Sequence, residues 1–138
     1  TAGTVFISVK NRDKSRAVDI AKTLNGLGLR IMATKGTASA IAQAGIPVKD
    51  VLKVIEGSPN VVDYLKKGEI QLVINTTEGN VAEKDSYSIR RTSLVYHIPY
   101  FTTLSGATAA TMGIEAMLKE SLEAKSLQAY YKDLEKTR

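Results

Sequence analysis

The sequence predicts an α/β domain built on a mostly parallel sheet with helices on both faces. Two observations carry this. Short apolar, β-rich runs alternate with helical stretches along the chain, and three predicted strands end in hydroxyl-rich segments. These segments are Thr34-Lys35-Gly36-Thr37, Ile74-Asn75-Thr76-Thr77 and Phe101-Thr102-Thr103-Leu104-Ser105-Gly106. Open parallel sheets bind ligands beyond the carboxyl ends of their strands, at the switch point. The three segments should therefore converge on one edge. No repeat, low-complexity tract or long linker divides the 138 residues, so residues 1–138 read as one domain.

Val5-Phe6-Ile7-Ser8-Val9 is an apolar run and reads as a buried first strand. Asn11 to Asp13 offer polar capping residues. Ala17, Ile20, Ala21 and Leu24 then recur at i, i+3, i+4 and i+7, one apolar helix face, which Gly26 and Gly28 end. Leu29 to Ala33 is the second strand. The second helix carries small residues from Ala38 to Ala44 and stops at Gly45, before Ile46-Pro47. Val51-Leu52-Lys53-Val54 reads as a short strand. Ser58-Pro59 reads as a cap with proline at the first helical position, and that helix reaches Lys67 and ends at Gly68. Gln71 to Asn75 is the most strand-like run. Asp85 to Tyr96 reads as a helix broken near Ile98-Pro99, and Tyr100 to Thr102 as the last strand. In the helix from Leu104 to Leu122, Gly106, Ala107, Ala109, Ala110 and Gly113 allow close approach to the sheet. A separate terminal helix sets Leu127, Tyr130, Tyr131 and Leu134 on one face, a stripe expected to pack.

Composition narrows the function. With no cysteine there are no disulfides, thiolate nucleophiles or cysteine-ligated metals, which is compatible with a cytoplasmic protein. No apolar run approaches the roughly 18 residues of a membrane span, and no signal peptide is visible, so no membrane partner is expected. The chain lacks an initiator methionine and begins almost on a strand, as expected of a piece of a longer protein. A net charge of +5 suits a nucleotide, nucleic acid or acidic protein. Nucleic acid is disfavoured, because the aromatic fraction is 6%, tryptophan is absent and the lysines are scattered.

Thr34-Lys35-Gly36-Thr37 sits between a strand and a helix, where free backbone N–H groups and the positive dipole end suit an anion. The same residues also read as a simple helix cap and turn. Lys14, in the first turn of the first helix, and Lys35 oppose the helix dipoles unless an anion sits there. Lys53 is either a phosphate contact or an edge lysine that blocks strand pairing. Asn75 reads a nucleobase edge or ties down a loop. Arg90 and Arg91 diverge by about 100° on a helix and read as solvated or ion-paired. His97, the one histidine, reads as a helix-end residue. Around it no Ser/His/Asp set or metal-ligand spacing can be built, so neither a catalytic nor a metal site is assigned. Hydroxyls, an amide, N–H groups and lysines make a binding site rather than a reaction centre.

Several segments together carry a family resemblance. They are Phe6-Ile7-Ser8-Val9 with Asp13-Lys14, Ala33-Thr34-Lys35-Gly36-Thr37-Ala38, and Lys53-Val54-Ile55-Glu56-Gly57. Val73-Ile74-Asn75-Thr76-Thr77, Asp85-Ser86-Tyr87-Ser88-Ile89-Arg90-Arg91 and Tyr100-Phe101-Thr102-Thr103-Leu104 complete the set. Over nearly its whole length the chain resembles the C-terminal regulatory, methylglyoxal-synthase-like domain of the bacterial carbamoyl-phosphate synthetase large chain.

The resemblance implies a three-layer Rossmann-like domain with a five-stranded parallel sheet flanked by helices. It implies a pocket for a nucleoside monophosphate effector, UMP or IMP. Lys14, Thr34, Gly36 and Thr37 would hold the phosphate, and Ser8, Lys53, Asn75, Thr76 and Thr77 would complete the pocket. Thr102 is the position implied for contact with activating ornithine. Phe101 stands where an acidic residue is common and cannot accept a hydrogen bond from an ammonium group. The resemblance implies no cofactor in the domain itself. ATP and Mg or Mn would belong to the parent, a glutamine-hydrolysing ligase of pyrimidine and arginine biosynthesis. The implied partners are its catalytic domains and the glutaminase small subunit.

Methylglyoxal synthase, a lyase acting on a triose phosphate, shares this fold and supplies the alternative function. Its Gly-Gly-Asp acid–base motif is matched here by Glu56-Gly57-Ser58-Pro59-Asn60, without the aspartate. Its second acidic motif is matched by Asn75-Thr76-Thr77. A third reading is a stand-alone nucleotide or nucleic-acid binder.

Overall fold

The computed structural model of the chain describes residues 3–76 and 80–136. Five parallel strands form one sheet: β1 (Thr4–Ser8), β2 (Arg30–Ala33), β3 (Lys49–Asp50), β4 (Leu72–Asn75) and β5 (Tyr100–Phe101). Their order is β3-β2-β1-β4-β5. The helices are α1 (Lys14–Gly26), α2 (Lys35–Gln43), α3 (Val61–Lys66), α4 (Asn80–Val95) and α5 (Leu104–Lys136).

Alternation along β1 divides the core into two layers. Val5 and Ile7 pack with Ala17, Ile20, Ala21 and Leu24 of α1, with Ala38 and Ile41 of α2, and with Leu104 and Ala107 of α5. Phe6 points the other way, to Val61 and Leu65 of α3 and Ile89 of α4. Every residue of the apolar face expected in α1 is buried. Parallel strands covered on both sides need continuous apolar runs, which Val5-Phe6-Ile7 and Leu72-Val73-Ile74 supply. β1 pairs with β2 (Ile7 opposite Ala33) and with β4 (Ser8 opposite Asn75), so the chain reverses direction across the sheet between β2 and β4.

The fold departs from the sequence reading in four places. The expected strand over Val51 to Val54 is replaced by β3, two residues earlier, and a 3-10 turn over Val54–Glu56. The Glu56 carboxylate accepts the Lys53 backbone N–H at 2.8 Å and closes that turn, drawing the chain off the sheet. The start of α3 is also displaced. Asn60, not Ser58, is its cap: its side chain accepts from Val62 N at 2.9 Å, while Asp63 accepts from Asn60 N at 2.8 Å. α4 begins at Asn80 rather than Asp85.

The largest departure is at the end of the chain. The two expected helices are one, the 33-residue α5, because no glycine or proline interrupts Ile114 to Lys136. Leu104, Ala107, Thr111 and Ile114 turn inward. At about 100° per residue, Leu127, Tyr130 and Tyr131 lie on the opposite side of the same helix. All three are more than half exposed, so the stripe expected to pack lies open to solvent. No described helix is long and apolar enough to cross a membrane.

Two measurements check this account. Phe6 is fully buried between sheet and α3, so Phe6→Ala should cost about 3–5 kcal/mol, read from the urea midpoint. The Asp63 carboxyl is held below its ordinary pKa by the Asn60 backbone N–H, then by the Ser58 hydroxyl. A lowered folded pKa gives stability that is present above the unfolded value, about 3.9, and is lost as pH falls through the folded one. Wild type should therefore lose more stability than Asp63→Asn when urea melts at neutral pH are compared with melts near about pH 3.

Candidate functional site

The carboxyl ends of β1, β2 and β4 meet at the switch point, and hydroxyl groups tie them together. Ser8 Oγ and Thr34 Oγ1 are 2.9 Å apart, joining β1 to the start of α2. Thr37 Oγ1 accepts from Val9 N at 3.1 Å. Thr76 N donates to Ser8 O at 2.9 Å, and Thr76 Oγ1 accepts from Lys10 N at 3.0 Å. Thr34, Thr37, Asn75 and Thr76 are all buried, and burial without partners would be costly. The direction of these bonds matters. A hydroxyl that accepts from a backbone N–H still has its own proton to donate. Thr37 and Thr76 are both in that state, so the edge is rich in donors.

Two helix starts at this edge are left without side-chain caps. Thr34 at the start of α2 and Asp13 at the start of α1 make no capping hydrogen bond. Two other helices are capped: Asn60 caps α3, and Thr103 Oγ1 accepts from Gly106 N in α5. The Thr34 hydroxyl meets Ser8 rather than a helix N–H, which leaves the first N–H groups of α2 available.

Lys14 sits over that opening. A Cβ at residue 36 would lie 2.9 Å from Lys14 Nζ, so only glycine leaves the amine its present place. Nζ donates to Asn11 Oδ1 at 2.7 Å and makes no ion pair among the described residues. A cation at the positive end of a helix is unfavourable by itself. An anion between the amine and the α2 N–H groups reverses that sign.

Asn75 lies one strand further along, beside Ser8. Its Nδ2 donates to Ser86 Oγ of α4 at 3.0 Å and to the Tyr100 hydroxyl of β5 at 2.9 Å. Burial pushes the Tyr100 hydroxyl above the ordinary phenol range, ahead of the opposing effects of the Asn75 hydrogen bond and Arg90. Sequence reasoning did not single out Ser86 or Tyr100 as partners of Asn75. Tyr100 arrives through the pairing of β5 with β4, a long-range contact that no local pattern reveals.

Among the described residues the other candidates join none of these hydrogen bonds. Lys53 is exposed just past β3, at the head of the 54–56 turn rather than inside a strand. Thr77 lies outside the described residues. Thr102 is exposed between β5 and α5. Arg90 and Arg91 are exposed on α4, and Arg91 reaches only the Tyr87 hydroxyl, at 3.5 Å. His97 has φ 57° in the turn before β5, at the far edge of the sheet. Among the described residues no group of three His, Asp or Glu side chains could hold a metal.

A family model described as MGS-like domain matches residues 16–102. The chain belongs to the MGS-like domain family. It is 44% identical over 129 residues to the carbamoyl phosphate synthase large chain of Rhizobium meliloti, covering 94% of this chain and 11% of that one. With the carbamoyl phosphate synthase large chain of Methanothrix thermoacetophila it shares 41% over 132 residues, 96% of this chain and 12% of the relative. It thus corresponds to the MGS-like segment of such large chains and spans only 11–12% of the length of these relatives. Among solved structures, methylglyoxal synthase from Elizabethkingia anophelis superposes with a TM-score of 0.65 at 19% identity, covering 80% of this chain and 77% of that one. ForH gives 0.61 at 16%, covering 86% and 82%. These two likenesses establish the MGS-like fold.

The close approach at residue 36 gives a test. Gly36→Ala should leave the fold intact, and by helix propensity can stabilise it by about 0.5–1 kcal/mol. It should displace the Lys14 amine. With inorganic phosphate as probe, amide NMR shifts at Lys35 to Thr37 should move in wild type and much less in this variant.

Proposed function

We propose that this MGS-like domain binds a nucleoside monophosphate effector, UMP or IMP, and regulates carbamoyl phosphate synthesis by a parent large chain. The observation that carries the reading is the Lys14 amine, without a carboxylate partner among the described residues, over the uncapped start of α2 in the space left by Gly36. The phosphate is held by that amine, by the N–H groups of Gly36 and Thr37, and by the hydroxyls of Thr34 and Thr37. Ser8, Asn75 and Thr76 stand one and two strands away, where the ribose and base of a phosphate-anchored nucleotide extend. Thr77 and Lys53 belong to the same pocket by family position.

The partners in this reading are the catalytic domains of the parent chain and its glutaminase small subunit, and ATP with Mg or Mn serves the parent alone. Regulation requires the nucleotide to favour one of two arrangements of the domain against those partners, with a coupling of about 1–3 kcal/mol. Relatives at 41–44% identity that are named carbamoyl phosphate synthase large chain support the assignment. Thr102, beside Phe101, lacks an acidic neighbour for an ornithine ammonium group, so the nucleotide is the effector we assign.

Lyase chemistry on a triose phosphate is the competing function. In the region that matches the lyase's first acidic motif and the helix after it, Glu56 and Asp63 both serve as caps on backbone N–H groups, and the Asp63 pKa is lowered. A carboxylate in that state is a poor general base for proton abstraction.

Calorimetric titration with UMP, IMP, uridine and inosine tests the proposal. The nucleotides should bind and the nucleosides bind far more weakly. Lys14→Ala and Thr37→Ala should each lose about ten- to a hundredfold, since a hydrogen bond to a charged group contributes about 1.5–3 kcal/mol. Arg91→Ala should lose less. Nucleosides that bind as well as nucleotides would remove the phosphate cradle. Methylglyoxal formation from dihydroxyacetone phosphate at about 1 per second or faster would favour the lyase.

A further inference from the structure

Asn75 is a buried amide whose two N–H protons are both engaged, one by Ser86 Oγ and one by the Tyr100 hydroxyl. The Ser86 bond reaches α4 and the Tyr100 bond reaches β5, so two different elements fix one side chain. An amide held in this way can offer a ligand only its carbonyl oxygen, an acceptor. Asn75 pairs in register with Ser8, whose hydroxyl meets Thr34 at the start of α2. Adjacent strands lie about 4.8 Å apart. Asn75 is therefore roughly two strand spacings, about 10 Å, from the phosphate end of the site. A phosphate bound at α2 is too far to touch it, whereas the sugar or base of an attached nucleoside is not.

We propose that Tyr100 and Ser86 are positioning residues that hold Asn75 as a hydrogen-bond acceptor for the nucleoside part of the effector, and so set discrimination for a nucleoside monophosphate over simple phosphates. The proposal rests on the effector reading given above and deepens it. The ligand group that Asn75 recognises is a donor, a ribose hydroxyl or a ring N–H. Tyr100 suits the task because its hydroxyl oxygen lies 2.9 Å from Asn75 Nδ2 and accepts from it. Its ring also belongs to the α3–α4 layer of the core, so the hydroxyl is carried on a packed support. Losing either partner frees one amide proton of Asn75. The amide can then rotate and present a donor where the ligand also presents a donor.

The test is a double-mutant cycle on the 138-residue chain, with UMP and IMP as nucleotide probes and inorganic phosphate as the simple anion. Tyr100→Phe and Ser86→Ala should each weaken the nucleotides by about two- to tenfold, the range for one neutral hydrogen bond. Inorganic phosphate should bind each variant as it binds wild type. In an Asn75→Ala background, Tyr100→Phe should have no further effect on nucleotide affinity. If Asn75→Ala does not fold, the split between nucleotide and phosphate in Tyr100→Phe and Ser86→Ala decides alone. Equal losses for phosphate and nucleotide, or additive losses in the cycle, overturn the positioning role and leave the effector reading standing. Wild-type protein that binds phosphate but gains nothing from the nucleoside also overturns it. Wild-type protein that binds none of the three probes overturns both.

Discussion

Strand β1 is the constraint on which the rest depends. It is hydrogen-bonded along one side to β2 and along the other to β4, and its residues Val5 to Ile7 are buried on both faces. A strand in that position has no freedom to slip, because a one-residue shift would exchange Phe6 with Val5 and Ile7 between two differently shaped layers. Its last residue is therefore placed as firmly as its core. The Ser8 carbonyl accepts from Thr76 N and its hydroxyl shares a hydrogen bond with that of Thr34, so the loops after β2 and β4 inherit their positions from β1. This hydroxyl-rich edge is the end of the core rather than an addition to it.

The same economy explains why buried hydroxyls recur there. A threonine at a strand end can satisfy a neighbouring backbone N–H with its oxygen and keep its proton for something outside the protein. The oxygens of Thr37 and Thr76 accept from Val9 N and Lys10 N in this way. Valine at position 37 would keep the shape but leave the buried Val9 N–H without an acceptor, at a cost of about 1–3 kcal/mol. Structural need and ligand chemistry thus favour the same residue type.

The parts of the fold visible in the sequence are those whose signal is local. The i, i+3, i+4, i+7 face of α1 and the apolar runs of β1 and β4 are placed within a residue or two. The Thr34 to Thr37 segment was visible for the same reason, since strand, turn and helix start lie next to one another in the chain. Where a side chain overrides propensity the reading fails. Glu56 closes a turn on Lys53 and ends a strand that β-branched residues alone would extend, and Asn60 takes the capping role that Ser58-Pro59 suggests. The two expected helices are one, α5, because nothing between the two halves interrupts the backbone even though the apolar residues change side along it. The Asn75 to Tyr100 contact spans 25 positions and depends on sheet order, which only the assembled fold supplies.

The length of α5 has a spectroscopic consequence. Residues 119–135 are all exposed, so that half of the helix is held by its own backbone hydrogen bonds and not by the core. Helical segments of that size are marginal when they stand alone. It nonetheless contributes heavily to far-UV circular dichroism, since α5 has 33 residues and α4, the next longest helix, 16. The chain has no tryptophan, and two of its six tyrosines, Tyr130 and Tyr131, sit on this segment with their rings 5.9 Å apart. Ellipticity and intrinsic emission therefore both follow the projecting helix as well as the sheet. A melt recorded by either signal departs from a single transition even while the core unfolds in one step. Slow amide exchange in β1 and β4 is the observable that isolates the core.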